Sequence, residues 1–96
     1  MEIKKEKNGA TLRIALTGRL DTLTSPQLEQ ELRLEGVTEL VFDLARLEYI
    51  SSAGLRVMLT AQKTMMAQGE MALENVAPVV REVFDMTGFS AFFTIR

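Results

Sequence analysis

Residues 40–59, LVFDLARLEYISSAGLRVML, decide how this chain is read. Leu40-Val41-Phe42 is a short apolar run whose β-branched and aromatic residues suit a strand. Asp43 follows, and the segment from there to Tyr49-Ile50 reads as a loop in which Asp43 accepts N–H bonds. Next come two hydroxyls, a small residue and a glycine, Ser51-Ser52-Ala53-Gly54. Beyond them Leu55, Met58 and Leu59 fall at i, i+3 and i+4, the spacing of one helix face. The serines therefore stand where a strand hands over to a helix, beside unpaired N–H groups and the positive end of a helix dipole. With small neighbours they stay open to a partner, so the chemistry of the chain is expected at Ser51 and Ser52. A purely structural reading, in which serine caps the helix, accounts for the same residues.

Working outward, residues 2–6 (EIKKE) form a polar strand, Asn8-Gly9 marks a tight hairpin, and Leu12, Ile14 and Leu16 alternate with Arg13, Ala15 and Thr17. The charged first strand makes an edge that discourages pairing with other molecules. Gly18-Arg19-Leu20-Asp21 ends the second strand. A helix then starts with Ser25 as cap and Pro26 at its first position, or one residue earlier with Thr24 and Gln27 as a capping box. It buries Leu28 and Leu32 and stops at Gly36. Residues 39–44 make a third strand whose near-continuous apolar run fits coverage on both faces. The helix after Ser52 runs to about Gln68, burying Leu55, Met58, Leu59, Met65 and Met66, and Gly69 closes it. Met71-Ala72-Leu73 is a fourth strand. Asn75 caps a third helix carrying Val79, Val80, Val83 and Phe84 inward to Gly88, and Phe92–Ile95 is a final strand. Phe89, Phe92 and Phe93 belong to the core and the sheet face. The order β-β-α-β-α-β-α-β predicts one α/β domain over residues 1–96, with a mixed, mostly parallel sheet covered by helices.

Composition narrows the function. At 96 residues, 47% hydrophobic and 25% charged, the chain matches an ordinary soluble globular domain. Its net charge of −2 and lack of a basic patch argue against a nucleic-acid partner. It has no cysteine and no histidine, so disulfides, thiolate metal sites and the commonest general base are unavailable. No leader is recognisable and no apolar run approaches the ~18 residues of a membrane span, so a cytoplasmic protein without direct membrane insertion is expected. Enzyme chemistry at the serines would have only Asp21, Asp43 and Lys63 for a base, with no third group or oxyanion site. No catalytic residue, metal or cofactor is assigned.

The string FDLARLEYISSAGLRVML, residues 42–59, resembles the signature of the STAS domain family, found in bacterial anti-sigma factor antagonists and sulfate transporter tails. Gly18-Arg19-Leu20-Asp21 is similar to the family's G-x-(L/I)-D step before the first helix, and Thr87-Gly88-Phe89 with Phe92, Thr94 and Ile95 resembles its ending. The resemblance spans nearly the whole chain and implies a regulatory binding module. In the antagonist branch, the unmodified protein binds an anti-sigma factor that is also a serine kinase of the histidine-kinase-like ATPase fold. Phosphorylation at the motif ends that binding, and a metal-dependent serine phosphatase restores it.

Carried over, the family's D-S-(S/T)-G-L falls on Ser51-Ser52-Ala53-Gly54-Leu55. Ala53 cannot be phosphorylated, which leaves Ser52 as the implied acceptor. Ser51 replaces the family's aspartate and is the alternative acceptor. The implied partner surface comprises Asp21, Ser51, Ala53, Gly54 and Arg56, with a monomeric free protein. Asp21 reads equally as a turn residue before the first helix, and Arg56 equally as a solvated charge. Two other roles fit the resemblance. One is a STAS subunit docked constitutively on an ABC-type lipid transporter or an anion transporter. The other is a nucleotide-binding module, although no glycine-rich phosphate loop is present.

Overall fold

The Asn8-Gly9 turn closes the hairpin that starts the chain. In the computed structural model, which describes residues 1–96, β1 (Glu2–Asn8) pairs antiparallel with β2 (Thr11–Leu20), and Asn8 opposite Thr11 is the last rung. Gly9, at φ +63°, is the first of the two loop residues. α1 (Ser25–Glu31), β3 (Glu39–Ile50), α2 (Ser52–Met66), β4 (Glu70–Glu74), α3 (Pro78–Thr87), a single 3-10 turn at Phe89–Ala91 and β5 (Thr94–Ile95) follow. The sheet order is β1-β2-β3-β4-β5, with every pairing after the first parallel. This is the expected mixed, mostly parallel α/β architecture.

β3 is twice the expected length. The segment read as a loop after Asp43 continues the strand to Ile50 and pairs with the second half of β2. It escaped a period-two reading because Leu44, Leu47 and Ile50, all buried, are spaced by three. Two bulges explain this. β3 carries one extra residue between the Ala15–Asp43 and Thr17–Arg46 rungs, and another between Gly18–Leu47 and Arg19–Tyr49. Each extra residue resets the pleat, so a three-residue step still returns a side chain to the core.

The helices lie on one face of the sheet, not both. Leu28 of α1, Leu55 and Met58 of α2, and Val80 and Phe84 of α3 join Leu12, Ile14, Leu40, Phe42, Leu44 and Leu73 in one apolar cluster. Val41 and Ala72 point the other way. They are only 5% and 2% exposed without belonging to that cluster. Polar groups surround them: Arg13 binds Asp43 (3.1 Å) and Glu74 (2.8 Å), and Arg96 binds Glu74 (3.1 Å). The apolar run at 40–42 thus has Leu40 and Phe42 in the helix-covered core and Val41 on the opposite face, where its strand partners are Arg13 and Ala72 and ion pairs lie alongside.

Several expected boundaries move for identifiable reasons. α1 ends at Glu31, short of Gly36, and the chain continues non-helical so that both Leu34 and Val37 are buried. Gln68 secures this segment by donating from Nε2 to the carbonyls of Leu34 (2.5 Å) and Val37 (2.8 Å). α2 buries Val57 and Ala61, where α1 packs, whereas Leu59 is half-buried and Met66 is 73% exposed. Gly69 receives the end of α2 through its N–H to Met65 O, and a Cβ there would lie 2.0 Å from Thr38 O. Its role is close backbone approach. α3 starts at Pro78 and Asn75 does not cap it; Asn75 sits at φ +56° and donates to Asp43 Oδ1 (3.2 Å). Val79 is 56% exposed, and Phe92 at 59% lies outside the core, leaving Phe93 to pack on Phe84 at 5.5 Å. β5 is accordingly two residues long.

Candidate functional site

The ends of β2 and β3 meet the start of α2. Ser51 N–H donates to Leu20 O (2.9 Å), which ties the serine segment to the end of β2. Ser51 is extended (φ −98°, ψ 175°) and is the helix cap, its Oγ accepting from Gly54 N–H at 3.4 Å. Its carbonyl accepts the first helical bond, from Leu55 N–H at 2.9 Å. Ser52 is therefore the first helical residue. It is exposed, and its hydroxyl makes no hydrogen bond within the chain. Of two adjacent serines, one is engaged in capping and one is free.

Gly54 is what lets α2 come so close. A Cβ there would lie 2.7 Å from Leu20 Cγ and 3.0 Å from Ile50 Cγ1. Gly54 is buried, so it shapes the site from beneath and offers no surface to a partner. Ala53 is half-buried and borders a groove of about 160 Å³ between the starts of α1 and α2, with Thr22, Pro26 and Arg56 also lining it. Arg56 is exposed, forms no ion pair, and follows Ser52 by one helical turn.

Asp21 sits at the end of β2 and turns its carboxylate into its own loop. Oδ1 accepts from the N–H groups of Leu23 (3.0 Å) and Thr24 (3.1 Å), and Oδ2 lies 3.8 Å from Arg19 Nε. Hydrogen bonding from Thr24 N–H first, and from Leu23 N–H, holds this carboxyl below the usual carboxylate range, with Arg19 adding to the effect. The Thr24 hydroxyl accepts from Asp21 N–H (2.8 Å) and donates to Arg19 O (2.8 Å). Ser25, only 4% exposed, donates its hydroxyl to Asp21 O at 2.6 Å. Neither expected cap operates at α1. Thr24 holds the capping position in a helical conformation without a side-chain bond to the helix, and Ser25 lies inside the first turn.

The structure thus brings Asp21, Ser51, Ser52, Ala53, Gly54 and Arg56 to one end of the sheet. Two features there escaped the sequence reading. Leu23 is 89% exposed at the tip of the Asp21 turn, and Arg19 lies 4.2 Å over the ring of Tyr49. Neither carried a periodic signal, since Leu23 is isolated among polar residues and Tyr49 falls after the bulges.

A family model for the STAS domain matches residues 2–96. BtrV of Bordetella bronchiseptica, provisionally assigned as an anti-sigma factor antagonist, is 40% identical over 99 residues, covering 99% of this chain and 85% of that one. The anti-sigma F factor antagonist of Paenibacillus polymyxa is 31% identical over 93 residues, covering 92% and 80%. The solved structure of the anti-sigma factor antagonist SpoIIAA in its unphosphorylated form superposes with a TM-score of 0.84 at 25% identity, covering 99% of this chain and 88% of that chain. No helix here is long and apolar enough to cross a membrane. By motif, sheet order and extent of match, this chain belongs to the STAS domain family, in its anti-sigma factor antagonist branch.

Proposed function

We propose that this chain is an anti-sigma factor antagonist that binds an anti-sigma factor serine kinase, and that phosphorylation of Ser52 switches the binding off. The observation that carries this reading is the division of labour between the serines: Ser51 caps α2 while the Ser52 hydroxyl is exposed and unbonded. A kinase can take Ser52 without dismantling the cap. Taking Ser51 would require release of the Gly54 N–H. The named relatives support the regulatory role, and SpoIIAA exists in unphosphorylated and phosphorylated forms.

The electrostatics work in the same direction. A phosphate brings about −1.5 to −2 charges and three acceptor oxygens. On the first residue of α2 it meets unpaired N–H groups and the helix dipole, an interaction of about 0.3–1 kcal/mol when exposed, so the fold accommodates it. A protein pressed over Ser52 would instead have to desolvate a dianion, which breaks the complex without a change in fold. A metal-dependent serine phosphatase resets the switch.

The test is calorimetric titration of the serine kinase that co-purifies with the tagged chain from its native cell. Ser52→Ala should bind as the unmodified protein does. Ser52→Asp should bind at least about tenfold more weakly while its stability changes by less than about 1 kcal/mol. Equal binding by Ser52→Asp and wild type would remove the electrostatic basis of the switch.

A further inference from the structure

The Asp21 carboxylate is engaged by its own turn, and the residue that turn displays is apolar. Asp21 Oδ1 accepts Leu23 N–H and Thr24 N–H, the Thr24 hydroxyl accepts Asp21 N–H, and Ser25 holds Asp21 O. Together these bonds fix a turn whose tip is Leu23. At 89% it is the most exposed of the large hydrophobic side chains, ahead of Met86 at 79% and Met66 at 73%. Isolated exposed apolar residues are ordinary on protein surfaces. Leu23 differs in two respects. Its backbone is ordered before any partner arrives, which removes an entropic cost of binding. It also neighbours Thr22, which lines the same groove as Ala53 and Arg56 beside Ser52. Two cations stand beside it, and Glu29, also exposed, lines the same groove as Arg56. Arg19 spans from Asp21 to the Tyr49 ring with its side chain 62% exposed, and Arg56 is exposed and unpaired.

We infer that Leu23 is the apolar anchor of the partner interface, entering an apolar cleft whose rim carries carboxylates facing Arg19 and Arg56. Asp21 is a positioning residue that holds the anchor out. This inference rests on the reading that a partner docks over Ser52. It also gives the switch a specific lever: a phosphate on Ser52 lies one helical turn from Arg56, competes for that cation, and faces the carboxylate rim.

The experiment is titration of the same co-purified serine kinase against variants of the turn. Leu23→Ser should leave thermal stability unchanged and weaken binding by about tenfold or more, the consequence of withholding a fully buried leucine from an interface. Asp21→Asn keeps a side-chain oxygen for the turn N–H groups and should bind within about twofold of wild type. Asp21→Ala frees the turn and should lose affinity, with little further loss when combined with Leu23→Ser. Wild-type affinity in Leu23→Ser overturns the anchor, even if Ser52→Asp still blocks binding. Equal losses in Asp21→Asn and Asp21→Ala would make Asp21 a charge contact and overturn its positioning role. If Ser52→Asp also bound normally, the docking reading itself would fail, and the anchor with it.

Discussion

Replacing Gly54 with alanine tests whether the serine segment is held by close packing of α2 on the ends of β2 and β3. Two effects oppose each other. Alanine is favoured over glycine by about 0.8–1.0 kcal/mol in a helix interior, and by less at the third helical residue, where Gly54 stands. Against this, the new Cβ would lie 2.7 Å from Leu20 Cγ and 3.0 Å from both Leu20 Cδ2 and Ile50 Cγ1. Leu20 and Ile50 are 0% and 2% exposed, so neither can swing into solvent. Relieving the contact requires α2 to move outward by about 1 Å, because carbon atoms pack near 3.5–4.0 Å. That movement strains the Ser51 N–H bond to Leu20 O, which is 2.9 Å long. Overpacking costs about 1–3 kcal/mol, and a weakened hydrogen bond about 1 kcal/mol more. The net expectation is destabilisation by about 2 kcal/mol, or a drop of about 8–16 °C in Tm for a domain of this size. Urea unfolding with unchanged m-value would measure it. A Gly54→Ala protein as stable as wild type, or more so, would refute the close-packing argument, since helix propensity alone would then have decided the outcome.

Two further perturbations separate the roles of neighbouring groups. Ser51→Ala should lower stability by about 0.5 kcal/mol, the low end for a lost cap because the Gly54 N–H contact is long at 3.4 Å, and should leave Ser52 competent as an acceptor in a kinase assay. Acid should destabilise the fold through Asp43. Burial pushes its carboxyl up, but bonds from Ala45 N–H, Asn75 and Arg13 outweigh burial and hold it below the usual value. With the folded-state pKa below the unfolded one, the stabilisation is complete above about pH 5 and is lost as pH falls below about 4. Asp43→Asn should therefore be less stable than wild type at pH 7 in urea titrations, and the gap should narrow by pH 3.5. A constant gap would show that Asp43 acts through its shape and not its charge.

The alternation from Leu12 to Leu16 and the apolar run at 40–42 gave the core strands directly, because regular pleating leaves a regular pattern. Past Asp43 that correspondence failed. Two bulges put Leu44, Leu47 and Ile50 on one face at a spacing that matches neither strand nor helix, so a strand looked like a loop. The run at 39–44 read as covered on both faces, whereas Val41 lies on the face that carries the Arg13 and Arg96 ion pairs, and long-range pairing of this kind leaves no local signal. At the site, the Ser51-Ser52-Ala53-Gly54 string was legible as a strand-to-helix junction. Which serine caps and which is free depended on where the helix begins, a boundary that two equivalent hydroxyls cannot mark. Asp21 was visible as a residue of interest, but its turn was not, since that depends on the side-chain geometry of Thr24 and Ser25.

The most direct measurement of the proposed switch is intact mass followed by site mapping on the protein recovered from its native cell, before and after phosphatase treatment. One phosphate on Ser52, removed by phosphatase, is the expected result. Phosphate on Ser51 would contradict the division between capping and acceptor hydroxyls. An unmodified protein under every growth condition would contradict the switch itself.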